Sequence, residues 1–184
     1  ERPLLFGHSM GGGVAARLLQ ERPDCAARAV LCSPMLCPQT GRAPHWLALG
    51  CARALLRRGE REKSPLFSGA YDPDAEFSCS GCTSRARFRA AMDCRAERPA
   101  YQTMGASNRW VYESLALRRR VLSPHACRRV QVPVLVCSAG RDTQVGLREQ
   151  RLLAARLPQG RLLEFPEEKH ELYNAGNAGL AAFL

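Results

Sequence analysis

A serine lies at the centre of the pentapeptide Gly-His-Ser-Met-Gly at residues 7–11. The pentapeptide follows an apolar run at residues 4–6, typical of the end of a buried strand, and precedes a helical pattern. A Gly-x-Ser-x-Gly sequence between a strand and a helix is typical of a nucleophile elbow, a sharp turn that exposes the serine hydroxyl above a sheet edge. The pattern therefore predicts Ser9 as a nucleophile, with the N–H of Met10 stabilising the oxyanion that forms after attack.

A serine hydroxyl needs a base that removes its proton, and four histidines are present. His170 follows a short strand pattern at residues 161–165, and loops at the carboxyl ends of parallel strands converge on one edge of a sheet. This position predicts His170 as the base. His8 adjoins the serine and must point elsewhere, so it is expected to be a packing residue or a pocket-wall residue, while His45 and His125 flank the middle of the chain.

The acid that orients the base should follow an earlier strand, in the chain order serine, acid, histidine. Asp142 fits this order, because the strand pattern at residues 132–138 leads through a small turn to this residue. The alternative is that Asp142 is a turn residue or a helix cap. Three glutamates, Glu164, Glu167 and Glu168, are reserve candidates, but they lie very close in sequence to the predicted base.

Strand and helix patterns alternate at both ends of the chain. Residues 28–34 form a second apolar strand pattern after the first helix, which completes a strand–helix–strand unit of a parallel sheet. Beyond the strand at 132–138, residues 150–157 are helical, 161–165 form a strand and 177–184 begin a last helix. The sequence therefore predicts an α/β fold with a parallel sheet flanked by helices.

Residues 36–130 show a different pattern, without a convincing strand. Helical patterns occur around 46–56, 84–92 and 108–117, separated by a charged run and a turn-rich stretch. A mostly helical insertion between two strands of a parallel sheet is typical of a cap over the site. The helix at 46–56 packs on the cap in the favoured interpretation, and contact of its face with lipid is the alternative.

These patterns divide the chain into three segments. Residues 1–35 are predicted as hydrolase core with the elbow, 36–130 as the cap, and 131–184 as core with the acid and base loops. The chain starts without methionine and ends inside an apolar helical pattern, so we expect both ends to be cut.

Basic residues outnumber acidic residues by 27 to 17, which gives a formal net charge of +10. All of the basic residues except Lys63 and Lys169 are arginines. The excess permits peripheral contact with an anionic membrane, but an arginine bias offset by acids elsewhere in a longer chain is the favoured interpretation. No nucleic-acid motif is present, so no nucleic-acid partner is predicted.

Nine cysteines are scattered through the predicted strands, helices and loops. Cys79 and Cys82 form the one C-x-x-C pair, and the sequence has no second pair at zinc-site spacing. We interpret the cysteines as free thiols of a reducing compartment, and we predict no metal and no cofactor. The expected location is the cytoplasm or the inner face of a membrane.

These motifs resemble the monoacylglycerol lipase and lysophospholipase branch of the α/β-hydrolases. In the predicted core, the resemblance rests on Gly-His-Ser-Met-Gly-Gly at 7–12, Ser-Pro-Met at 33–35, Gly-Arg-Asp at 140–142 followed by Val145, and His170 with Glu171. In the predicted cap, residues 83–88 and 110–114 are similar to the bacterial lysophospholipase. At 105–107 the sequence has Gly-Ala-Ser where the family more often has a Gly-Gly-Pro-Thr-like turn.

The resemblance implies an α/β-hydrolase fold with a helical cap, whose first strands and second oxyanion N–H would precede Glu1. It implies a serine carboxylester hydrolase that acts on lysophospholipid or monoacylglycerol esters. Ser9, His170 and Asp142 would form its triad, and a small lipid ester would be its substrate.

Two alternatives stay open. The first is a proline-iminopeptidase-like peptidase, for which Asp72, Asp74 and Glu76 are the local acids that could hold a substrate amine. The second is an inactive, truncated hydrolase fragment.

Overall fold

A computed structural model describes residues 1–62, 71–103 and 105–184. In this part of the chain four strands form one parallel sheet, in the order β1-β2-β3-β4. The strands are β1 (Leu4–His8), β2 (Arg28–Cys32), β3 (Val134–Ala139) and β4 (Gly160–Phe165). The predicted parallel α/β sheet is confirmed, and each strand lies within two or three residues of its predicted position.

Seven α-helices occur in the described residues. They are α1 (Met10–Glu21), α2 (His45–Arg57), α3 (Arg85–Glu97), α4 (Asn108–Val121), α5 (Pro124–Arg128), α6 (Leu147–Arg156) and α7 (Asn177–Phe183). Ser84 and Ser107 cap α3 and α4, because their hydroxyls accept hydrogen bonds from backbone N–H groups of the first turn. The sequence did not predict α5 or the short 3-10 helices Phe77–Cys79, Pro99–Tyr101 and Leu172–Asn174.

The two central strands carry the apolar core. Leu31 of β2 and Val136 of β3 are fully buried, and they pack with Leu19 of α1 and Leu153 of α6. Hydrophobic burial of this kind is the main driving force for folding. Along β1 the situation differs, because Leu4 and Phe6 are exposed at 63% and 51%.

Residues 36–130, called the middle region below, contain α2, α3, α4 and α5. Helix α2 packs against α4, and α4 packs against α1, so α1 is one of the elements that join the middle region to the sheet. Lys63, at the end of the charged run, lies outside the described residues. None of the described helices is long and apolar enough to cross a membrane.

Candidate active site

Ser9 lies in the tight connection between β1 and α1. Its backbone has a positive φ of 51°, an uncommon conformation for a residue with a side chain. The connection is held on both sides: the Ser9 N–H donates to the carbonyl of Cys32 at 3.0 Å, and the Ser9 carbonyl accepts from the N–H of Met35 at 2.8 Å. Strained backbone of this type persists only where the surrounding structure enforces it. The end of β2 and the turn after it therefore hold the serine in place.

Three predicted side chains lie in one hydrogen-bonded series. The Ser9 hydroxyl donates to Nε2 of His170 at 2.8 Å, and Nδ1–H of His170 donates to Oδ2 of Asp142 at 2.7 Å. His170 and Asp142 are buried, at 3% and 7% exposure. The other oxygen of Asp142 accepts from the N–H groups of Gln144 and Val145 at 2.8 and 3.1 Å, which fixes the orientation of the carboxylate.

Within the described residues 105–184, the three glutamates considered as alternative acids form no hydrogen bond with His170. Glu164 accepts a hydrogen bond from Arg151 at 2.8 Å, Glu168 accepts one from Thr83, and Glu167 is exposed. Asp142 is thus the carboxylate that contacts the imidazole of His170.

Two histidines lie apart from this series. His45 begins α2, and His125 is exposed in α5. In the described part of the chain, no hydrogen bond joins either of them to Ser9.

His8 packs directly against His170, a contact that the sequence did not predict. Its Nε2–H donates to the carbonyl of His170 at 3.4 Å, and the two ring centroids are 4.9 Å apart. The edge of Tyr173 covers the same imidazole, with a centroid distance of 4.8 Å. Burial and the adjacent His170 lower the pKa of His8, which favours its neutral form. No sequence signal connects Tyr173 with His8.

Met10 joins the elbow to the middle region. As the first residue of α1 it has a backbone N–H outside the helical hydrogen-bond ladder, which leaves this donor available near Ser9. Its thioether sulfur accepts a hydrogen bond from Nε1–H of Trp110 in α4 at 3.0 Å.

Trp110 also lines an apolar cavity of about 460 Å³ between α2, α4 and residues 38–43. The volume is within the usual range of small-molecule pockets. The side chains around it are mostly apolar and include Leu47, Ala48, Val111 and Leu115. The sequence did not predict this cavity, because its walls come from helices far apart in the chain.

The cysteines take no part in the hydrogen-bonded series. All nine are free, and burial raises the pKa of Cys32 to about 12 and that of Cys137 to about 11. These two thiols therefore stay protonated and poorly reactive near neutral pH. Among the described residues, no group of three or more His, Cys, Asp or Glu side chains is arranged to hold a metal ion.

Solved structures of hydrolases resemble this chain in fold. A monoacylglycerol lipase from Paleococcus ferrophilus is 24% identical, with a TM-score of 0.72, over 99% of this chain and 65% of the lipase. A soluble variant of the monoglyceride lipase from Saccharomyces cerevisiae, solved with a substrate analogue, is 15% identical, with a TM-score of 0.73, over 98% of this chain and 59% of the lipase. A thermostable carboxyl esterase from Bacillus coagulans, solved with glycerol, is 16% identical, with a TM-score of 0.70, over 99% of this chain and 61% of the esterase.

The chain thus spans about three fifths of the length of these proteins. Identities in this range show the shared fold. A comparison with the sequences of curated proteins finds no match.

A family model described as serine aminopeptidase, S33, matches residues 1–176. This match covers nearly the whole chain and includes Ser9, Asp142 and His170. It agrees with the parallel sheet, the elbow and the hydrolase folds of the structural relatives. The chain therefore belongs to the serine aminopeptidase S33 family of hydrolases and has the α/β-hydrolase fold.

Proposed function

We propose that this protein is a serine carboxylester hydrolase that cleaves lysophospholipid or monoacylglycerol esters. The observation that carries the proposal is the hydrogen-bonded series Ser9–His170–Asp142. Its distances of 2.7 and 2.8 Å are those required for proton transfer from a nucleophile to a base and for orientation of that base by an acid.

In the proposed acylation step, Ser9 Oγ attacks the carbonyl carbon of the ester while Nε2 of His170 takes the hydroxyl proton. The carbonyl oxygen becomes an oxyanion, which the backbone N–H of Met10 stabilises. The protonated His170 then gives its proton to the leaving alcohol oxygen, and the acyl group stays on Ser9. Asp142 holds the imidazole through Nδ1–H and offsets the charge of the imidazolium.

Deacylation repeats these proton transfers with water. His170 removes a proton from water as the water oxygen attacks the acyl carbon. The imidazolium then returns a proton to Ser9 Oγ, which leaves the carbon, and a fatty acid is released. The complete cycle consumes one water molecule and cleaves one ester bond.

The apolar cavity supports a fatty acyl substrate. Trp110 lines the cavity and donates a hydrogen bond to the sulfur of Met10, the residue after the proposed nucleophile, so one side chain links the cavity wall to the elbow. An acyl chain in it would gain hydrophobic stabilisation of about 0.8 kcal/mol for each buried CH₂ group. We propose that the middle region acts as a cap that supplies this pocket, on a core formed by residues 1–35 and 131–184.

The decisive test is covalent labelling with a fluorophosphonate, which phosphonylates an activated serine. We expect the purified protein to be labelled at Ser9, and we expect Ser9→Ala to abolish both labelling and hydrolysis of a long-chain monoacylglycerol. Ser123→Ala, which replaces a serine at the start of α5, is the matched control and should keep wild-type labelling. Labelling of Ser9→Ala at the wild-type rate would overturn the assignment. A wild-type protein without labelling would favour the inactive fragment.

The family description keeps an aminopeptidase as a second candidate. The acids proposed to hold a substrate amine are exposed in the structure, and Asp72 accepts a hydrogen bond from the N–H of Asp74 within the same turn. Turnover of a lysophosphatidylcholine compared with a proline anilide separates the two functions. We expect hydrolysis of the lipid ester and none of the anilide.

We also propose peripheral contact of the protein with an anionic membrane. Trp46 of α2 is 73% exposed, and it shares a groove with Arg53 of the same helix and Arg119 of α4. An exposed indole beside arginines suits a phospholipid surface. The nine free thiols support a reducing compartment, so we place this contact on the cytoplasmic side. Co-sedimentation should be stronger with phosphatidylserine vesicles than with phosphatidylcholine vesicles.

A further inference from the structure

The loop that carries His170 has little regular structure of its own. It leaves β4 after Phe165 and reaches the short 3-10 helix Leu172–Asn174, with His170 between them. From the core side, Asp142 and His8 contact the histidine. An irregular loop needs further contacts if His170 is to stay aligned with Ser9, because small displacements of a catalytic group lower the reaction rate strongly.

Those contacts come from the middle region, and they hold the residues on both sides of His170. Lys169 Nζ donates to the carbonyls of Ser78 and Ser80 at 2.8 and 3.1 Å. The N–H of Glu171 donates to the carbonyl of Gly81 at 2.7 Å. Residues 78–81, called the 78–81 segment below, therefore present three carbonyl groups to the loop.

The ammonium group of Lys169 is well suited to bind these carbonyl groups. It offers three hydrogen-bond donors in a compact head, and a charged donor makes a stronger hydrogen bond than a neutral one. Lys169 also lies over the ring of Phe77, with Nζ 5.6 Å from the centroid. Two carbonyl contacts and a ring contact thus fix the head of one side chain next to the base.

A second set of contacts also joins the His170 loop and the residues after it to the middle region. The Gly176 N–H donates to Oγ1 of Thr83 at 3.0 Å, and the Thr83 hydroxyl donates to Glu168. Arg87 in α3 donates to the carbonyl of Ala175 and, at 3.1 Å, to Oδ1 of Asn177. This junction therefore extends along both sides of the loop.

Close packing and burial hold the 78–81 segment in position. A Cβ at Gly81 would lie 2.8 Å from Nε2 of Gln144 and 3.3 Å from Oε1 of Glu171, so the segment approaches the loop as closely as a glycine permits. Immediately after it, Cys82 is 2% exposed, and its thiol donates to the carbonyl of Ser84 at 3.4 Å. One end of the segment is thereby anchored.

We propose that Lys169 is a positioning residue for the base: it ties the His170 loop to the 78–81 segment, so that docking of the middle region on the core aligns His170 with Ser9. This inference rests on the proposed function. It assigns to the middle region a role in the chemical step in addition to its role in substrate binding.

The test compares Lys169→Met, which keeps an unbranched stem and removes the donors, with Lys169→Arg, which restores them. Arg148→Met, an exposed cation on α6, controls for the loss of charge. We expect Lys169→Met to lower kcat and the rate of fluorophosphonate labelling by about 10- to 100-fold, with KM unchanged. Lys169→Arg should recover most of both rates, and Arg148→Met should keep them.

A second measurement does not depend on turnover. The Nδ1 proton of His170, held between the imidazole and Asp142, should give a downfield proton NMR signal that broadens or disappears in Lys169→Met and returns in Lys169→Arg. Wild-type labelling and an unchanged signal in Lys169→Met would overturn the proposal. Equal loss in the Met and Arg variants, with equally lowered melting temperatures, would also overturn it. An unlabelled wild-type protein would contradict the proposed function, while the NMR signal would still test the alignment.

Discussion

The sheet and the middle region differ in how they are packed and in what they contribute to the site. Around the sheet, residues such as Leu31, Val136 and Leu153 are completely buried, and the flanking turns hold Ser9 and Asp142. In the middle region, α3 buries no side chain and α2 buries only Ala48 and Ala52. The sheet and its turns thus hold Ser9 and Asp142, while α2 and α4 of the middle region line the cavity.

The difference has a physical reason. Proton transfer requires alignment to within fractions of an ångström, which only a densely packed support provides. An apolar pocket requires volume and apolar walls, and these tolerate small shifts. Substitutions near the sheet should therefore affect the reaction or the stability, whereas substitutions at the cavity walls in α2 and α4 should affect the choice of substrate.

The largest effect should come from Asp142→Asn. The amide can still accept the backbone hydrogen bonds from Gln144 and Val145, but it would present an N–H to Nδ1 of His170 and favour the wrong tautomer. We expect kcat for ester hydrolysis to fall by about 10⁴-fold, as for the equivalent change in serine proteases, with little change in melting temperature. Glu167→Gln, an exposed carboxylate, is the control. A kcat close to the wild-type value in Asp142→Asn would show that another acid orients the base.

Filling the cavity should change specificity. Ala48 lines the cavity and is 8% exposed, whereas Ala54 lies on the exposed face of the same helix. We expect Ala48→Phe to lower kcat/KM for a long-chain ester by about 10- to 200-fold and to leave an acetyl ester unaffected, since only the long chain needs the lost volume. Ala54→Phe should change neither rate. Equal losses for both esters in Ala48→Phe would place the acyl chain elsewhere.

Two glycine substitutions compare packing in the two regions directly. A Cβ at Gly13 in α1 would overlap the carbonyl of Met35, whereas a Cβ at Gly50 in α2 meets no atom within 4 Å. In urea unfolding, Gly13→Ala should reduce the free energy of unfolding by about 1–3 kcal/mol. Gly50→Ala should raise it by about 1 kcal/mol, because alanine is the better helix former. The comparison would fail if both substitutions stabilised the protein.

The smallest effect concerns pH. Burial lowers the pKa of both His8 and His45 below the ordinary value of 6.5. The unfolded chain then takes up protons at higher pH than the folded chain, so this contribution to stability is complete above about pH 6.5 and declines as pH falls towards the lowered values. Urea unfolding between about pH 7.5 and 5 should show a shallower decline in His8→Gln and in His45→Gln.

The two histidines should differ in activity. His8 packs on the base and His45 begins α2 in the middle region, so His8→Gln should lower kcat and His45→Gln should not. Equal kcat values in the two variants would indicate that the ring contact with His170 does not support catalysis.

Much of the fold could be predicted because its signals are local. The elbow is a five-residue motif, the strands are short apolar runs, and Asp142 and His170 each follow a strand in the expected chain order. Periodicity also located α2, α3 and α4, because a helix of 13 or 14 residues repeats its pattern several times. The short helix α5 was missed because five residues are too few to show a period.

By itself, therefore, the sequence determined the class of fold and the candidate residues of the site, since both follow from patterns among neighbours in the chain. Only the tertiary structure decided that Ser9 and His170, 161 residues apart, lie at 2.8 Å, that Trp110 joins the elbow to a cavity, and that Lys169 binds the 78–81 segment. These contacts depend on how separate helices and loops pack together. The hydrophobic periodicity of the sequence predicts individual helices and strands but not that packing.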